Sequence, residues 1–171
     1  MMADSVTWVN VKPNAKIAAL KSDSIAVTTS FYNIHFIFQK VFGDDMGFVA
    51  GKDLGVNPYG NSVIANGKYL KENPGVVKNF VKVTQKAYAA CAKNADPCIT
   101  ALMDANSGLK RGSSMANWAL VKELMDADSS RNGAIGYFDP ARMEADYKLI
   151  EAYFKLKTPF DIKKTYRNDF L

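Results

Sequence analysis

The stretch GVNPYGNSVIANGKYLKENP, residues 55–74, gives the clearest local pattern from which to predict the fold. Turn-forming residues stand at both ends of the short apolar run Ser62-Val63-Ile64-Ala65, which has the length and β-branched content of a buried strand. Asn73-Pro74 then predicts a helix start, because Asn can accept a bond from a free amide and Pro has no amide to satisfy. The local order is therefore loop, strand, turn and helix.

The preceding residues repeat this alternation of strand and helix. Residues 6–11 are rich in β-branched and aromatic side chains and predict a strand, as do residues 25–29. Between them Pro13 suits a first helical turn, so the order predicts a parallel strand pair joined by a right-handed crossover. After Pro74 the pattern is helical, with a second strong helix start at Asp139-Pro140. The predicted fold class is α/β, with short parallel sheet elements followed by a helix-rich C-terminal half.

Composition excludes several classes of protein. The 171 residues are 48% hydrophobic and 23% charged, which is ordinary for a globular domain. The net charge of +5 does not predict nucleic-acid binding, because Lys78, Lys82 and Lys86 recur every fourth residue as one solvated helix face. No apolar run approaches the roughly 20 residues of a membrane helix.

Several motifs, in this order, carry a resemblance to a known family. They are WVNVKPNAKIAALKSDSIAV at residues 8–27, FYN at 31–33, the 55–74 stretch, GYFDPARMEADY at 136–147 and TYRNDFL at 165–171. The series resembles the extracytoplasmic solute-binding proteins of ABC importers. The branch it is most similar to is named for thiamine-pyrimidine precursors and includes relatives that bind sulfonates and nitrate.

The resemblance implies a partial type II periplasmic-binding-protein fold, of which this chain is similar to the C-terminal half. Residues 1–30 are then a remnant of the second lobe, 31–61 the crossover and hinge, and 62–171 the C-terminal part of the first lobe. The N-terminus carries no export signal, although the resemblance implies a periplasmic or extracytoplasmic location. Because a partial sheet leaves apolar faces uncovered, a homodimer is also expected.

The resemblance implies a binding protein, with a small polar ligand held between two lobes and ABC permease subunits as partners. Polar aromatic and amide side chains near predicted strand ends suit such a ligand, because they bond and stack without reacting. The candidate ligand-binding residues are Tyr32, Asn33, Asn57, Tyr59 and Asn61, with Asn10 and Trp118 as weaker members.

No catalytic, cofactor or metal site is predicted. The sequence contains no phosphate loop, dinucleotide fingerprint, GxSxG or HExxH motif, and two cysteines with one histidine cannot complete a zinc site. One alternative is a synthase related to those that make the thiamine pyrimidine, but the cysteine-rich motif associated with that activity is missing. A stand-alone interaction module is the other alternative.

Cys91 and Cys98 are the two cysteines. On an unbroken helix their Cα atoms would stand about 10.5 Å apart, too far for a disulfide. The intervening AKNADP predicts a helix stop and restart, and a turn there could bring the sulfur atoms together. The sequence leaves two states open, a disulfide and a pair of free thiols, and an oxidising compartment would favour the disulfide.

Overall fold

The structure is a computed structural model that describes residues 5–126 and 133–171. The chain divides into two units, Met1–Gly47 and Phe48–Leu171. In the first unit, the 3-10 turn Pro13–Ala15 leads into helix α1, Lys16–Lys21, and the 3-10 turn Tyr32–Ile34 leads into α2, His35–Phe42. A further 3-10 turn, Gly43–Asp45, follows α2.

The second unit is a succession of helices. Its described helices are α3 Gly67–Glu72, α4 Pro74–Lys93, α5 Ala95–Ala105, α6 Arg111–Met125 and α7 Pro140–Tyr153, with 3-10 turns at Gly51–Leu54 and Ile162–Lys164. Helices α3 and α5 both pack against α4, and α6 packs against α5. Consecutive helices from α3 to α6 are therefore neighbours in space, which is the arrangement that short connections favour.

Deep burial is confined to a few apolar side chains. Across the described ranges these are Phe38 on α2, Ile99 on α5 and Tyr147 on α7. Tyr147 is held by the C-terminal segment, since its hydroxyl accepts a bond from the Phe160 N–H at 3.2 Å and the two rings meet edge to face at 4.9 Å. The last residues of the chain thus pack back onto α7.

The two strongest helix starts predicted from the sequence are confirmed. Helix α4 begins at Pro74 and α7 at Pro140, each with Pro in the first turn. Asp139 caps α7, because its Oδ1 accepts bonds from the N–H groups of Ala141 and Arg142 at 2.7 and 3.1 Å. The Asn73 side chain does not cap α4; its Nδ2 donates instead to the last turn of α3.

The predicted α/β fold is wrong for the residues that the structure describes, which form helices and no strand. The three predicted strands, residues 6–11, 25–29 and 62–65, lie in irregular segments. β-branched residues favour an extended backbone, but a strand also needs a neighbouring strand that accepts and donates its ladder bonds. The side chains of Ile64 and Val27 are 92% and 84% exposed. These segments therefore lack the side-chain packing that stabilises a strand.

Candidate ligand-binding site

The predicted residues Asn57 and Tyr59 lie together, on a loop that is fastened to the start of α7. Arg142 donates from Nε to the Asn57 carbonyl oxygen at 2.7 Å, and from Nη2 to Asn57 Oδ1 at 3.1 Å and the Pro58 carbonyl oxygen at 3.2 Å. A charged planar donor that makes several bonds to one segment holds it more firmly than a single neutral bond would. Residues 57–59, here called the ligand loop, are thus tied to a helix about 85 positions away.

Tyr59 is the side chain that fills the space between the ligand loop and α7. Its hydroxyl accepts a bond from the Asp139 N–H at 2.8 Å. Its ring meets Phe138 edge to face at 5.1 Å, and the Arg142 guanidinium carbon lies 4.0 Å from its centroid, within cation–π range. These contacts leave Tyr59 half-buried, so its side chain helps to hold the ligand loop against α7.

Asp146 lies on the same helix, with its carboxyl group near the backbone N–H of Tyr59 and the Arg142 guanidinium. Desolvation by burial raises the pKa of Asp146 above its usual 3.8, and the nearby Arg142 charge and the Tyr59 N–H lower that pKa only in part. Burial therefore outweighs the two favourable partners.

The residues before α7 are fixed from the C-terminal side. Asn168 accepts a bond from the Phe138 N–H at 2.9 Å and donates from Nδ2 to the Phe138 carbonyl oxygen at 2.8 Å. The Tyr166 ring also lies 5.7 Å from that of Phe138. The segments GYFDPARMEADY and TYRNDFL, far apart in sequence, are thus joined at one place.

The other predicted site residues are distributed over the chain. Asn61 lies in an exposed bend two positions beyond Tyr59. Trp118 on α6 lies against Tyr88 of α4, with ring centroids 5.9 Å apart. Tyr32, Asn33 and Asn10 belong to the first unit, where Tyr32 stacks on His35 at 5.6 Å and Asn10 is exposed. Within the second unit, Asn57 and Tyr59 thus lie together beside α7, and Asn61 follows them along the chain.

Arg142, Asp146, Phe138 and Asn168 were not predicted to belong to the site. The signal available was the presence of the FDPAR and YRND motifs among the segments that carry the family resemblance. What the sequence could not supply was the pairing of these motifs with the ligand loop, because contacts over such separations are not encoded in local patterns.

An apolar groove lies beside α3 and α4. It has a volume of about 320 Å³ and is lined mainly by Val63, Ile64, Tyr69, Val76, Val77 and Phe80. Asn66 also lines it, but its Oδ1 already accepts bonds from the N–H groups at the start of α3. The groove offers a polar ligand few partners, so the ligand loop is the better candidate site.

Cys91 and Cys98 are bonded to each other in the structure, with their Cα atoms 5.8 Å apart. Helix α4 ends at Lys93 and α5 begins at Ala95, and the extended backbone of Asn94 turns the chain between them. The helix break lets the sulfur atoms meet, as a disulfide requires. Neither cysteine then offers a thiolate for catalysis or metal binding.

The part of the chain that the structure describes carries no candidate metal site and no candidate membrane span. Within residues 5–126 and 133–171, no group of three or more His, Cys, Asp or Glu could hold a metal ion. In the same part of the chain, no helix has both the length and the apolar character needed to cross a bilayer.

Comparison with protein families gives a match over the N-terminal part of the chain. A family model described as NMT1/THI5 like matches residues 1–97, which is more than half of the 171 residues. No curated protein and no solved structure matches the chain. The matched span includes the ligand loop, α3 and α4.

Proposed function

The chain belongs to the NMT1/THI5-like family, and on that basis we propose that it is the extracytoplasmic solute-binding component of an ABC importer. The family consists mostly of solute-binding proteins, so membership supports a solute-binding or related role. The family match over residues 1–97 is the observation that carries the proposal. The proposed ligand is a small polar solute of the pyrimidine, sulfonate or nitrate type, and the proposed partners are permease subunits.

In this proposal the solute is held between two lobes. Residues 1–30 belong to one lobe, 31–61 cross between the lobes, and 62–171 belong to the other. The ligand loop and Asn61 contribute polar groups to the solute, and Tyr32, Asn33, Asn10 and Trp118 are further candidates. The predicted homodimer is not supported, because it was inferred from the uncovered faces of a partial sheet and the described residues form no strand.

The disulfide supports an extracytoplasmic location. Disulfides persist in oxidising compartments and are rare in the reducing cytosol. Family members are also typically extracytoplasmic. A Cys91–Cys98 bond agrees with export better than a pair of free thiols would.

A synthase remains the alternative function, because the family name includes a synthase. The absence of the cysteine-rich motif associated with that activity weighs against it, because Cys91 and Cys98 are the two cysteines of the sequence. Recovery of a chemically altered solute from the protein would favour the synthase.

The proposal is tested by thermal-shift measurements on the full-length protein with nitrate, methanesulfonate and 4-aminopyrimidine. Because a ligand that binds the native state raises the melting temperature, we expect one of these solutes to raise it in a concentration-dependent way. Substituting Asn61→Ala should reduce that rise without lowering the melting temperature of the free protein. The matched control is Asn79→Ala, an exposed Asn on α4. If Asn61→Ala and Asn79→Ala both left the shift unchanged, Asn61 would not belong to the site.

A further inference from the structure

We propose that Arg142 is a positioning residue, which orients the ligand loop so that Asn57 and Tyr59 present hydrogen-bond donors to the solute. The solute group that meets the loop is therefore a hydrogen-bond acceptor. This inference rests on the proposed solute-binding function, because it assigns a role to Arg142 within that site.

The contacts of Arg142 fix both the backbone and a side chain of the loop. The guanidinium bonds two successive carbonyl oxygens, those of Asn57 and Pro58, and also reaches Asn57 Oδ1. A guanidinium presents its donors in a rigid planar fork, whereas a lysine ammonium presents a point charge. The direction of the loop therefore depends on the shape of the Arg142 side chain as well as on its charge.

The loop is attached to one face of α7. Asp139, Arg142 and Asp146 are spaced i, i+3 and i+7, which places them on the same side of a helix. Two of them bond the loop directly, since the Asp139 N–H donates to the Tyr59 hydroxyl and Arg142 donates to the carbonyl oxygens of Asn57 and Pro58. The Asp146 carboxyl group lies near the Tyr59 N–H. Arg142 stands in the middle of this row and supplies most of the bonds.

These attachments decide which polar atoms are left for a ligand. The Oδ1 atom of the exposed Asn57 side chain accepts from Arg142, so the amide Nδ2–H₂ is the polar group of this side chain that remains to donate. The Tyr59 oxygen accepts from the Asp139 N–H, which leaves its own proton to be donated. Both side chains therefore act as donors, and a donor surface recognises carbonyl, ring-nitrogen or oxyanion acceptors.

Two variants separate positioning from simple stabilisation. Arg142→Lys keeps the positive charge but loses the planar fork, so the loop should lose its fixed direction. Asn57→Asp keeps the contact with Arg142, now as a charge-assisted pair, but replaces the exposed donor with an acceptor oxygen. The matched control is Arg111→Lys, at an exposed arginine paired with Asp96.

The experiment is calorimetric titration of the full-length protein with whichever of nitrate, methanesulfonate or 4-aminopyrimidine it binds. We expect Arg142→Lys and Asn57→Asp each to weaken binding by about tenfold, the equivalent of roughly one unmade hydrogen bond. Arg111→Lys should bind like the wild type. The melting temperature of Asn57→Asp should equal or exceed that of the wild type. Weaker binding without a loss of stability would show that Asn57 does more than hold the loop in place.

Two further outcomes have distinct meanings. If the wild type bound a solute and both variants bound it equally well, the positioning role would be overturned and the solute-binding function would stand. If the wild type bound none of the three probes, the proposed function and the donor assignment would both be overturned. Amide hydrogen exchange over residues 57–61 would then still test the positioning role. We expect Arg142→Lys to speed exchange in the loop, and an unchanged exchange rate would also overturn the positioning role.

Discussion

Removing the Cys91–Cys98 disulfide is expected to lower the stability of the second unit substantially. The two cysteines are 7 positions apart, so the bond closes a short loop in the unfolded chain. In the chain-entropy description, a loop of this size gives a stabilisation of about 2.4 kcal/mol at about 25 °C. A loss of that magnitude corresponds to a fall in melting temperature of roughly 5–10 °C for a chain of this length. The disulfide therefore contributes a large share of the usual stability margin.

Thermal unfolding followed by circular dichroism measures this effect. Protein prepared under oxidising conditions is heated with and without reductant, beside the double variant Cys91→Ser/Cys98→Ser. The double variant should melt at the temperature of the reduced wild type and should not respond to reductant. The reasoning fails if the unreduced, denatured wild type shows two reactive thiols, or if its melting temperature does not change on reduction.

Three further predictions concern α5 and α7. Asp139→Ala removes the cap of α7 and should lower the free energy of unfolding by about 1 kcal/mol, whereas Asp139→Asn should retain most of it; equal denaturant midpoints for the two would contradict the capping role. Asp146 has a raised pKa in the folded protein, so its favourable contribution to stability is present below its usual pKa of 3.8 and is lost as the pH rises through the folded value. In denaturant unfolding across that pH range, the free energy of unfolding of Asp146→Asn should therefore rise relative to that of the wild type as the pH rises. Parallel pH profiles for the two proteins would refute the raised pKa of Asp146. Ile99→Ala, at 4% exposure, should cost about 2–5 kcal/mol, while Ile99→Val should cost about 0.5–1.5 kcal/mol; near-neutral effects of both would show that α5 carries no core.

Helix starts were predictable because their signals are local. Asn73-Pro74 and Asp139-Pro140 each place a residue without an amide proton in the first turn, and both mark true helix starts. The helix break between Cys91 and Cys98 was visible for the same reason. Burial was less predictable, because Phe80 is a large apolar side chain on α4 and is nevertheless 59% exposed.

The strands could not be judged from the sequence alone. The run SVIA at residues 62–65 has the composition of a strand, but composition does not provide a partner. A helix satisfies its backbone within one segment, whereas a strand depends on another part of a chain. The sequence therefore predicted the helices of the second unit better than it predicted the fold class.

The candidate site was predictable in part. The turn residues and polar side chains of NPYGN pointed to Asn57, Tyr59 and Asn61, and the structure places the first two beside a helix terminus. The partner residues Arg142 and Asp146 belong to α7 and carry no local sign of their role. Only the three-dimensional contacts show which atoms of the loop are engaged and which remain for a ligand.

The most direct test of a solute-binding role is one titration of the full-length, oxidised protein, followed by analysis of the recovered solute. Nitrate, methanesulfonate and 4-aminopyrimidine are titrated by calorimetry, and the solute that binds is released by denaturation and identified by mass spectrometry. We predict that one of them binds with one-to-one stoichiometry and is recovered chemically unchanged. Absence of binding to all three, or recovery of a converted solute, would contradict that account.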